Sequence, residues 1–299
     1  MTGQPSFRSG FVAVVGRPNV GKSTLVNALV GDKVAITSDK PQTTRSAIRG
    51  ILDGDGWQAV LVDTPGYHKP RTALGSRLND VVRAAWRDVE LAIFVVDAEA
   101  GVGRGDARVA SDLTASGRPS LCVVNKIDAV KRDQVVVALA AAAELGDFEE
   151  YVPVSALTGE GIPLLLQLIE QRLEEGPMYY PAGTRSDQPP PAFVAELVRE
   201  KLLHRTREEV PHSIAVVTDE YVEREDGLLE IHADIFVERD SQKGIVIGKG
   251  GSNLKAVGTE AREEIELLFG RKVYLELRVK VLKDWQRHDH ALDRLGFVS

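Results

Sequence analysis

The chain has 299 residues, 43% hydrophobic and 27% charged, which suggests about two globular domains of ordinary composition. Its single cysteine, Cys122, excludes a disulfide framework and favours a reducing compartment. The net charge is −7 and neither half is basic, which argues against bulk, sequence-blind binding of nucleic acid and leaves only a local site. The sequence shows neither a signal peptide nor a membrane-spanning run, so we expect a cytoplasmic, soluble protein, with peripheral membrane contact left open.

The first 175 residues alternate short apolar runs with amphipathic segments. The runs have the near-continuous hydrophobicity of parallel strands covered on both faces, and they span residues 11–15, 59–62, 91–96, 121–124 and 151–154. Helical patterns lie between them, for example at residues 78–89, 107–115 and 135–145. This alternation predicts an α/β fold with a doubly wound, mostly parallel sheet.

A proline-rich stretch then separates two differently organised halves. Proline fixes φ and removes a donor, so residues 177–192 are interpreted as a linker between a domain at 1–176 and a second domain at 193–299. The second half predicts a smaller α+β domain, with a helix near 193–205, strands near 214–221 and 228–237, a glycine-broken segment, a helix at 253–269 and a strand at 272–282.

Residues 16–23 read GRPNVGKS and match the phosphate-binding pattern GxxxxGK[ST] in full. Its glycines let backbone N–H groups wrap phosphates, Lys22 reaches the β- and γ-phosphates, and the Ser23 hydroxyl ligates Mg²⁺. The following helix N-terminus also favours an anion. The predicted phosphate-binding residues are Gly16, Arg17, Pro18, Asn19, Val20, Gly21, Lys22, Ser23, Thr24 and Gly66.

The sequence Asn125-Lys126-Ile127-Asp128 predicts guanine rather than adenine as the base. It follows the fourth predicted strand, at the carboxyl edge where nucleotides bind in open α/β sheets. Asp128 can accept hydrogen bonds from guanine N1–H and the 2-amino group, whereas adenine would leave this carboxylate unpaired. Asn125 and Lys126 would brace the loop and cover the ring, and Ser155-Ala156-Leu157 would supply an N–H to guanine O6. A metabolic P-loop kinase is disfavoured because this motif has no role there.

Two polar segments predict a nucleotide-dependent switch. In Asp63-Thr64-Pro65-Gly66, Asp63 would hold Mg²⁺ through water and the Gly66 N–H would sense the γ-phosphate. Upstream, either Thr43 or Thr44 would ligate Mg²⁺ only while the γ-phosphate is present, and we favour Thr44. Tyr67 occupies the position of the water-orienting glutamine of Ras-like proteins, so we expect slow intrinsic hydrolysis. No side-chain base is assigned, and His68 is interpreted as a surface residue.

In the second half, residues 244–252 contain a GxxG pattern at Gly248 and Gly251, between an apolar run and an amphipathic helix. With 27 glycines the pattern alone carries little weight. A tight glycine loop at a helix N-terminus can nevertheless clamp a single-stranded sugar-phosphate chain, as in KH domains, and the element order suits the type II arrangement. The predicted RNA-binding residues are Lys243, Gly248, Lys249, Gly250, Gly251 and Lys255.

The whole chain, from about Gly10 onwards, resembles the Era GTPases, a family with a GTPase domain followed by a KH domain. The resemblance rests on six motifs: GRPNVGKST at 16–24, PQTTR at 41–45, DTPGYHKP at 63–70, VPVSAL at 152–157, the VIGKGG loop and LRVKVLKDW at 277–285. Tyr67 departs from the family, where a smaller aliphatic residue is more usual. In related GTPases with a bulky residue here, an asparagine at the place of Asn19 helps to hold K⁺ in the role of an arginine finger.

The resemblance implies binding near the 3′ end of 16S ribosomal RNA, a role in maturation of the small (30S) subunit and, for some members, peripheral association with the inner membrane. GTP would favour the RNA-competent arrangement and hydrolysis would favour release. We expect GTP, GDP and Mg²⁺ as ligands, K⁺ as a further cation, and a monomer. The alternative hypothesis is a GTPase whose second domain docks a protein or a membrane instead of RNA.

Overall fold

The computed structural model describes residues 7–67, 72–86 and 89–297, and the chain divides into two compact units. Within the described residues, the first unit comprises 7–37, 44–67 and most of 75–187, and the second comprises 38–43, 72–74 and 188–297. His68 and the end of the DTPGYHKP motif lie outside the described residues. In the described part of the chain, no helix is long and apolar enough to cross a membrane.

The first unit is built on one sheet of order β2-β3-β1-β4-β5-β6, in which β2 is antiparallel to β3 and the rest of this path is parallel. A short β7 pairs antiparallel with the start of β1. The five predicted runs form strands β1, β3, β4, β5 and β6, whereas the edge strand β2 was not predicted because Arg49 and Asp53 interrupt its apolar pattern. The strands are β1 (Arg8–Val15), β2 (Ile48–Gly54), β3 (Trp57–Asp63), β4 (Leu91–Asp97), β5 (Ser120–Asn125), β6 (Glu150–Pro153) and β7 (Glu174–Glu175).

Helices cover both faces of this sheet, and two hydrophobic cores result. Val12 and Val14 of β1 belong to one core, while Ala13 and Val15 belong to the other, as alternation along a strand requires. The helices of the unit are α1 (Lys22–Val30), α2 (Ala73–Ala85), α3 (Arg104–Ala115), α4 (Arg132–Ala143) and α5 (Ile162–Gln171). The doubly wound α/β prediction is confirmed, although α2 begins and ends earlier than the predicted helix at 78–89.

The second unit has three strands with helices before, between and after them. Its sheet has the order β10-β9-β8, with β8 antiparallel and β10 parallel to β9. This is the connectivity of a type II KH domain, as predicted. Its elements are α6 (Pro190–Arg205), α7 (Val210–Ser213), β8 (Ala215–Glu223), β9 (Leu229–Val237), α8 (Asp240–Ile247), α9 (Ser252–Phe269), β10 (Val273–Val281) and α10 (Asp289–Arg294).

Two local features differ from the sequence interpretation. The apolar run before the GxxG pattern, residues 245–247, is the last turn of helix α8, which begins at Asp240 with four polar residues followed by Gly244. The predicted linker also makes specific contacts: Ile51 N–H donates to the carbonyl of Arg185 over 2.9 Å, and the Gln58 amide oxygen accepts from the N–H groups of Tyr179 and Tyr180. Residues 179–185 of this stretch, which belong to the first unit, therefore lie beside β2 and β3. The domain boundary itself stays a prediction.

Candidate nucleotide and RNA sites

The loop between β1 and α1 depends on glycine at two positions. Gly16 has φ +156°, and a Cβ there would lie 2.5 Å from the carbonyl oxygen of Val95. Gly21 has φ +92°, and a Cβ there would collide with the side-chain amide of Asn125. The loop can therefore pack this closely only because both positions lack a side chain. It leads directly into the N-terminus of α1, whose free N–H groups favour an anion.

Lys22, the first residue of α1, is buried, and its ammonium donates a hydrogen bond to the Arg17 carbonyl over 3.1 Å. Burial lowers the pKa of Lys22 to about 8, while the nearby Asp63 carboxylate acts in the opposite direction. An anion that enters the loop would stabilise the charged form of this buried ammonium. Its position thus suits contact with the outer phosphates of a nucleotide.

Three oxygen-bearing side chains meet beside Lys22. The Ser23 hydroxyl donates to Asp63 Oδ2 over 2.7 Å and lies 2.9 Å from the Thr44 hydroxyl, which itself donates to Asp63 Oδ2 over 3.3 Å. Asp63 is fully buried, and burial raises its pKa, although Lys22 and the hydrogen bond from Ser23 act against this. Its Oδ1 has no hydrogen-bond partner within the described ranges. Hard oxygen ligands around a desolvated carboxylate fit Mg²⁺.

The two candidate switch threonines have different hydrogen-bond partners. The Thr43 hydroxyl donates to the carbonyl of Lys40 over 2.7 Å, whereas Thr44 faces Ser23 and Asp63. Of the pair, it is therefore Thr44 that the structure brings to the oxygen cluster.

The segment after β3 is held against the phosphate loop. The Thr64 hydroxyl donates to the Val14 carbonyl over 2.8 Å, and a Cβ at Gly66 would lie 2.7 Å from atoms of Pro18. The Tyr67 N–H donates to the Gly16 carbonyl over 3.3 Å. Pro65 is buried between these anchors. The backbone around Gly66 is thereby placed next to the loop that would hold the γ-phosphate.

The base-recognition residues are linked by a set of hydrogen bonds. Asn125 donates from its amide to the Val20 carbonyl over 2.9 Å and accepts from the Ala156 N–H over 3.0 Å, so it joins three loops. The Ser155 hydroxyl donates to Asp128 Oδ1 over 2.6 Å. Asp128 itself is exposed, which leaves the carboxylate accessible to a guanine edge.

Two further predicted base-binding residues, Lys126 and Leu157, lie on the loops that carry Asp128 and Ser155, respectively. The Lys126 ammonium lies 2.6 Å from Asp97 Oδ2, at the end of β4, and its backbone has φ +65°. Leu157 is 79% exposed, which is unusual for a leucine. A bound base would cover this side chain. Sequence reasoning did not find Asp97, because 28 intervening residues hide its pairing with Lys126 from any local pattern.

Tyr67 is turned into the core and is only 4% exposed. Its ring packs edge-on against Trp86, with centroids 5.7 Å apart, and the guanidinium of Arg108 lies 5.4 Å from its centroid. Arg83 also donates to the Tyr67 hydroxyl over 3.3 Å. A side chain held in this way does not take the place of a water-orienting glutamine.

The GxxG pattern forms a single tight turn between α8 and α9. Gly248, Gly250 and Gly251 all have positive φ, at 74°, 60° and 78°, which strains any other residue there. The Asn253 amide supports the turn by donating to the Val246 carbonyl over 3.1 Å. The turn delivers its backbone to the N-terminus of α9, as the RNA-clamp prediction requires.

A groove of about 440 Å³ runs from this turn between α9 and the edge strand β10. Gly258 of α9 faces Leu277 of β10 across this groove, where a Cβ would make an ordinary contact at 3.5 Å, so the absence of a side chain at 258 leaves the helix side open. Lys249 and Lys255 are exposed beside the turn and groove, while Lys243 on α8 is partly buried. Arg262 and Tyr274, which sequence reasoning missed, also line the groove.

Taken together, the phosphate loop, the oxygen cluster and the carboxylate at the base loop on a doubly wound sheet define a P-loop GTPase, here joined to a KH domain. Family comparisons agree with both assignments. The family described as "50S ribosome-binding GTPase" matches residues 11–126, and the family described as "KH domain" matches residues 209–286.

The chain belongs to the Era GTPase family and is a GTPase. It is 53% identical to the GTPase Era of Mycobacterium tuberculosis (strain ATCC 25177 / H37Ra), over 97% of this chain and 99% of the relative, and 52% identical to that of Mycobacterium avium (strain 104) over the same shares. Its structure is also similar to the crystal structure of Era in complex with MgGDPNP and nucleotides 1506–1542 of 16S ribosomal RNA. The TM-score is 0.94 and the identity 36%, and the match covers 98% of this chain and 100% of that one.

Proposed function

We propose that the chain binds GTP and GDP with the residues predicted above and uses the nucleotide state to control RNA binding during assembly of the small ribosomal subunit. The phosphate tail enters the loop at residues 16–24, where Lys22 and the α1 N-terminus offset its charge. Asp128 accepts from the guanine edge while Ser155 holds it, and Asn125 keeps the base loop against the phosphate loop.

Mg²⁺ is the cation that the oxygen cluster fits, held by Ser23, Thr44 and, through water, Asp63. Held by these residues, the ion would supply positive charge that offsets the charge of the phosphates. Thr44 belongs to the segment between α1 and β2. When the γ-phosphate is lost, Thr44 would lose its contact with the metal, and this segment would become less ordered. The Gly66 N–H, beside Pro18, senses the same phosphate group.

The RNA partner is single-stranded RNA near the 3′ end of 16S ribosomal RNA. The observation that carries this proposal is the GxxG turn opening into a groove along a free strand edge. A groove of this kind can clamp backbone at the glycines and accept unstacked bases along the strand. The structurally similar Era complex, which contains nucleotides 1506–1542 of 16S ribosomal RNA, identifies the segment to test.

The test is fluorescence anisotropy of the full chain with a labelled RNA of that segment and with a shuffled RNA of equal composition, at several salt concentrations. Binding should be saturable, stronger for the native segment, stronger with GDPNP than with GDP, and steeply salt-dependent. Lys249→Glu should weaken it, because it reverses a charge beside the turn without straining the backbone.

Lys272→Glu is the matched control, since Lys272 is 81% exposed in the same unit but, unlike Lys249, lies outside the GxxG turn, between the end of α9 and the start of β10. Equal loss in both variants would indicate nonspecific electrostatics. Failure of the full chain to bind either RNA at low salt would favour the alternative, a second domain that docks a protein or a membrane. Monomeric state and peripheral membrane association stay predictions.

A further inference from the structure

The loop between β4 and α3 lies beside both nucleotide-binding loops. It is internally rigid: Asp97 Oδ1 accepts from the N–H groups of Glu99 and Ala100 over 2.9 and 3.1 Å, and the Gly101 N–H donates to the Asp97 carbonyl over 3.0 Å. Asp106, in the first turn of α3, accepts from the Gly103 N–H over 2.9 Å. These bonds give the loop fixed anchor points for other elements.

One of its neighbours is Arg17, inside the phosphate loop. The Arg17 side chain points to this loop, with Nε 2.9 and 3.0 Å from the two carboxylate oxygens of Asp106 and Nη2 donating to the Gly101 carbonyl over 2.6 Å. The Asp106 side chain is fully buried. A buried carboxylate of this kind binds its cation strongly, because removing the partner leaves an uncompensated charge.

The backbone of Arg17 has a second function. Its carbonyl accepts the hydrogen bond from the Lys22 ammonium, so the residue that fixes Lys22 is itself fixed by Asp106. Two residues further on, Asn19 has φ +66°, a left-handed conformation that asparagine adopts more readily than most non-glycine residues.

We infer that Asp106 is a positioning residue for nucleotide binding: through Arg17 it holds the phosphate loop in its binding conformation. This inference rests on the phosphate-binding role proposed above for residues 16–24. In this role Asp106 would act on the nucleotide only indirectly, through its contact with Arg17 and the hydrogen bond from Lys22 to Arg17. Loss of Asp106 should therefore reduce the contribution of the phosphates to nucleotide affinity and leave the contribution of the base unchanged.

A second buried carboxylate, Asp97 at the end of β4, provides a comparison for Asp106. Its Oδ2, however, pairs with Lys126 of the base loop. Asp106 and Asp97 therefore support opposite halves of the nucleotide from one loop. Their removal should be distinguishable by ligands that differ in only one half.

The experiment measures the affinity of the full chain for GDP, GMP and inosine diphosphate by displacement of a fluorescent GDP analogue. The ratio of GMP to GDP dissociation constants reports the phosphate half, and the ratio of inosine diphosphate to GDP reports the base half. Asp106→Asn should lower the phosphate ratio by about tenfold, the expected scale for one hydrogen bond to a charged group, and leave the base ratio unchanged. Asp97→Asn releases Lys126, which would cover the ring common to all three ligands, so it should weaken all three alike and leave the phosphate ratio unchanged.

Further variants separate positioning from folding. Arg17→Met keeps the apolar stem and should reproduce the phosphate defect, and adding Asp106→Asn to it should cost little more, since the two residues act as one unit. Arg17→Lys keeps the positive charge, so its ratio of GMP to GDP dissociation constants should lie between those of Arg17→Met and the unaltered chain. Asp112→Asn, an exposed carboxylate on α3, should change neither ratio. Thermal unfolding of each variant shows whether the fold is retained.

The inference is overturned if Asp106→Asn leaves the phosphate ratio unchanged, or lowers the affinity for all three ligands alike. Lys22→Ala distinguishes this failure from failure of the proposed site. If Lys22→Ala abolishes GDP binding while Asp106→Asn has no selective effect, only the positioning role is wrong. If Lys22→Ala binds GDP normally, the phosphate site itself has been misplaced.

Discussion

The hydroxyl of Ser155 donates to the Asp128 carboxylate over 2.6 Å, although 27 positions separate the two residues in the chain. Ser155 is fully buried and Asp128 is exposed, so a fixed donor orients a carboxylate that remains accessible to ligand. The bond uses one lone pair and leaves the others for guanine N1–H and the 2-amino group. Base choice therefore depends on a pair of residues from two loops, not on Asp128 alone.

Asp128→Asn should shift nucleotide preference from GTP towards xanthosine triphosphate. The amide can donate to the 2-carbonyl of xanthine, where the carboxylate could only repel it, and we expect the preference to change by about 10²-fold or more. Competition of both nucleotides against a fluorescent GDP analogue measures it. Ser155→Ala is the companion variant: it should weaken both nucleotides without reversing their order. If the Asp128→Asn variant still prefers GTP, Asp128 does not read the base.

Thr44→Ala should raise the Mg²⁺ concentration needed for GDPNP binding while changing GDP binding little. Thr44 lies 2.9 Å from Ser23 and would meet the metal only in the triphosphate state. Titration of Mg²⁺ with each nucleotide gives the two half-saturation values. Thr43→Ala is the control, because its hydroxyl is bonded to Lys40 instead. The assignment is wrong if the two variants behave alike.

GTP hydrolysis should be faster in K⁺ than in Na⁺ at equal ionic strength. Tyr67 is packed against Trp86 and does not replace a water-orienting glutamine, and K⁺ at the phosphate loop would supply the positive charge that an arginine finger supplies in other GTPases. Exposed Asn19, with φ +66°, is the candidate ligand. Phosphate release measured under single turnover in the two salts tests this, and Asn19→Ala should remove the difference. Equal rates for the unaltered chain would refute the K⁺ proposal.

The parts of the fold predicted from sequence are those encoded by contiguous residues. The phosphate loop works through consecutive backbone groups, and buried parallel strands appear as apolar runs, so GRPNVGKS and β4 could be read directly. The edge strand β2 was not predicted because the exposed residues Arg49 and Asp53 interrupt its apolar residues. Helix α8 was not predicted because Gly244, a poor helix former, weakens its helical pattern.

The anchoring carboxylates of the site could not be predicted for a different reason. Asp106 lies 89 positions from Arg17, and nothing in its own neighbourhood marks it as anything but a helix-capping residue. Asp97 likewise looks like the end of a strand. Their roles depend on which strands are neighbours in the sheet, since the β4–α3 loop reaches the phosphate loop only because β4 pairs with β1. Such pairings are tertiary information that local spacing does not contain.

Cys122 should resist thiol reagents in the folded protein and become reactive only when the first unit opens. The side chain is fully buried in β5, and burial raises the pKa of its thiol to about 12, so almost no thiolate exists at neutral pH. Saturating GDP and Mg²⁺ at about 100 times the dissociation constant should slow labelling about 100-fold if labelling requires unfolding. Mass spectrometry after timed alkylation measures the rate, with urea-unfolded protein as the fully reactive control. Rapid labelling regardless of nucleotide would contradict the buried placement.

Gly258→Leu should weaken RNA binding without destabilising the protein. Gly258 lies on α9 opposite Leu277, and a Cβ at this position already lies 3.5 Å from it, so a leucine side chain must extend into the groove that single-stranded RNA would occupy. The same change should favour the helix by a few tenths to about 1 kcal/mol, because glycine is a poor residue for a helix interior. Gly258→Ala is the matched control: its methyl group makes an ordinary contact with Leu277 and should leave the groove open. Anisotropy titrations with the 16S segment, together with thermal unfolding, compare the three proteins. If the leucine and alanine variants bind RNA equally well, the groove between α9 and β10 does not accept the bases.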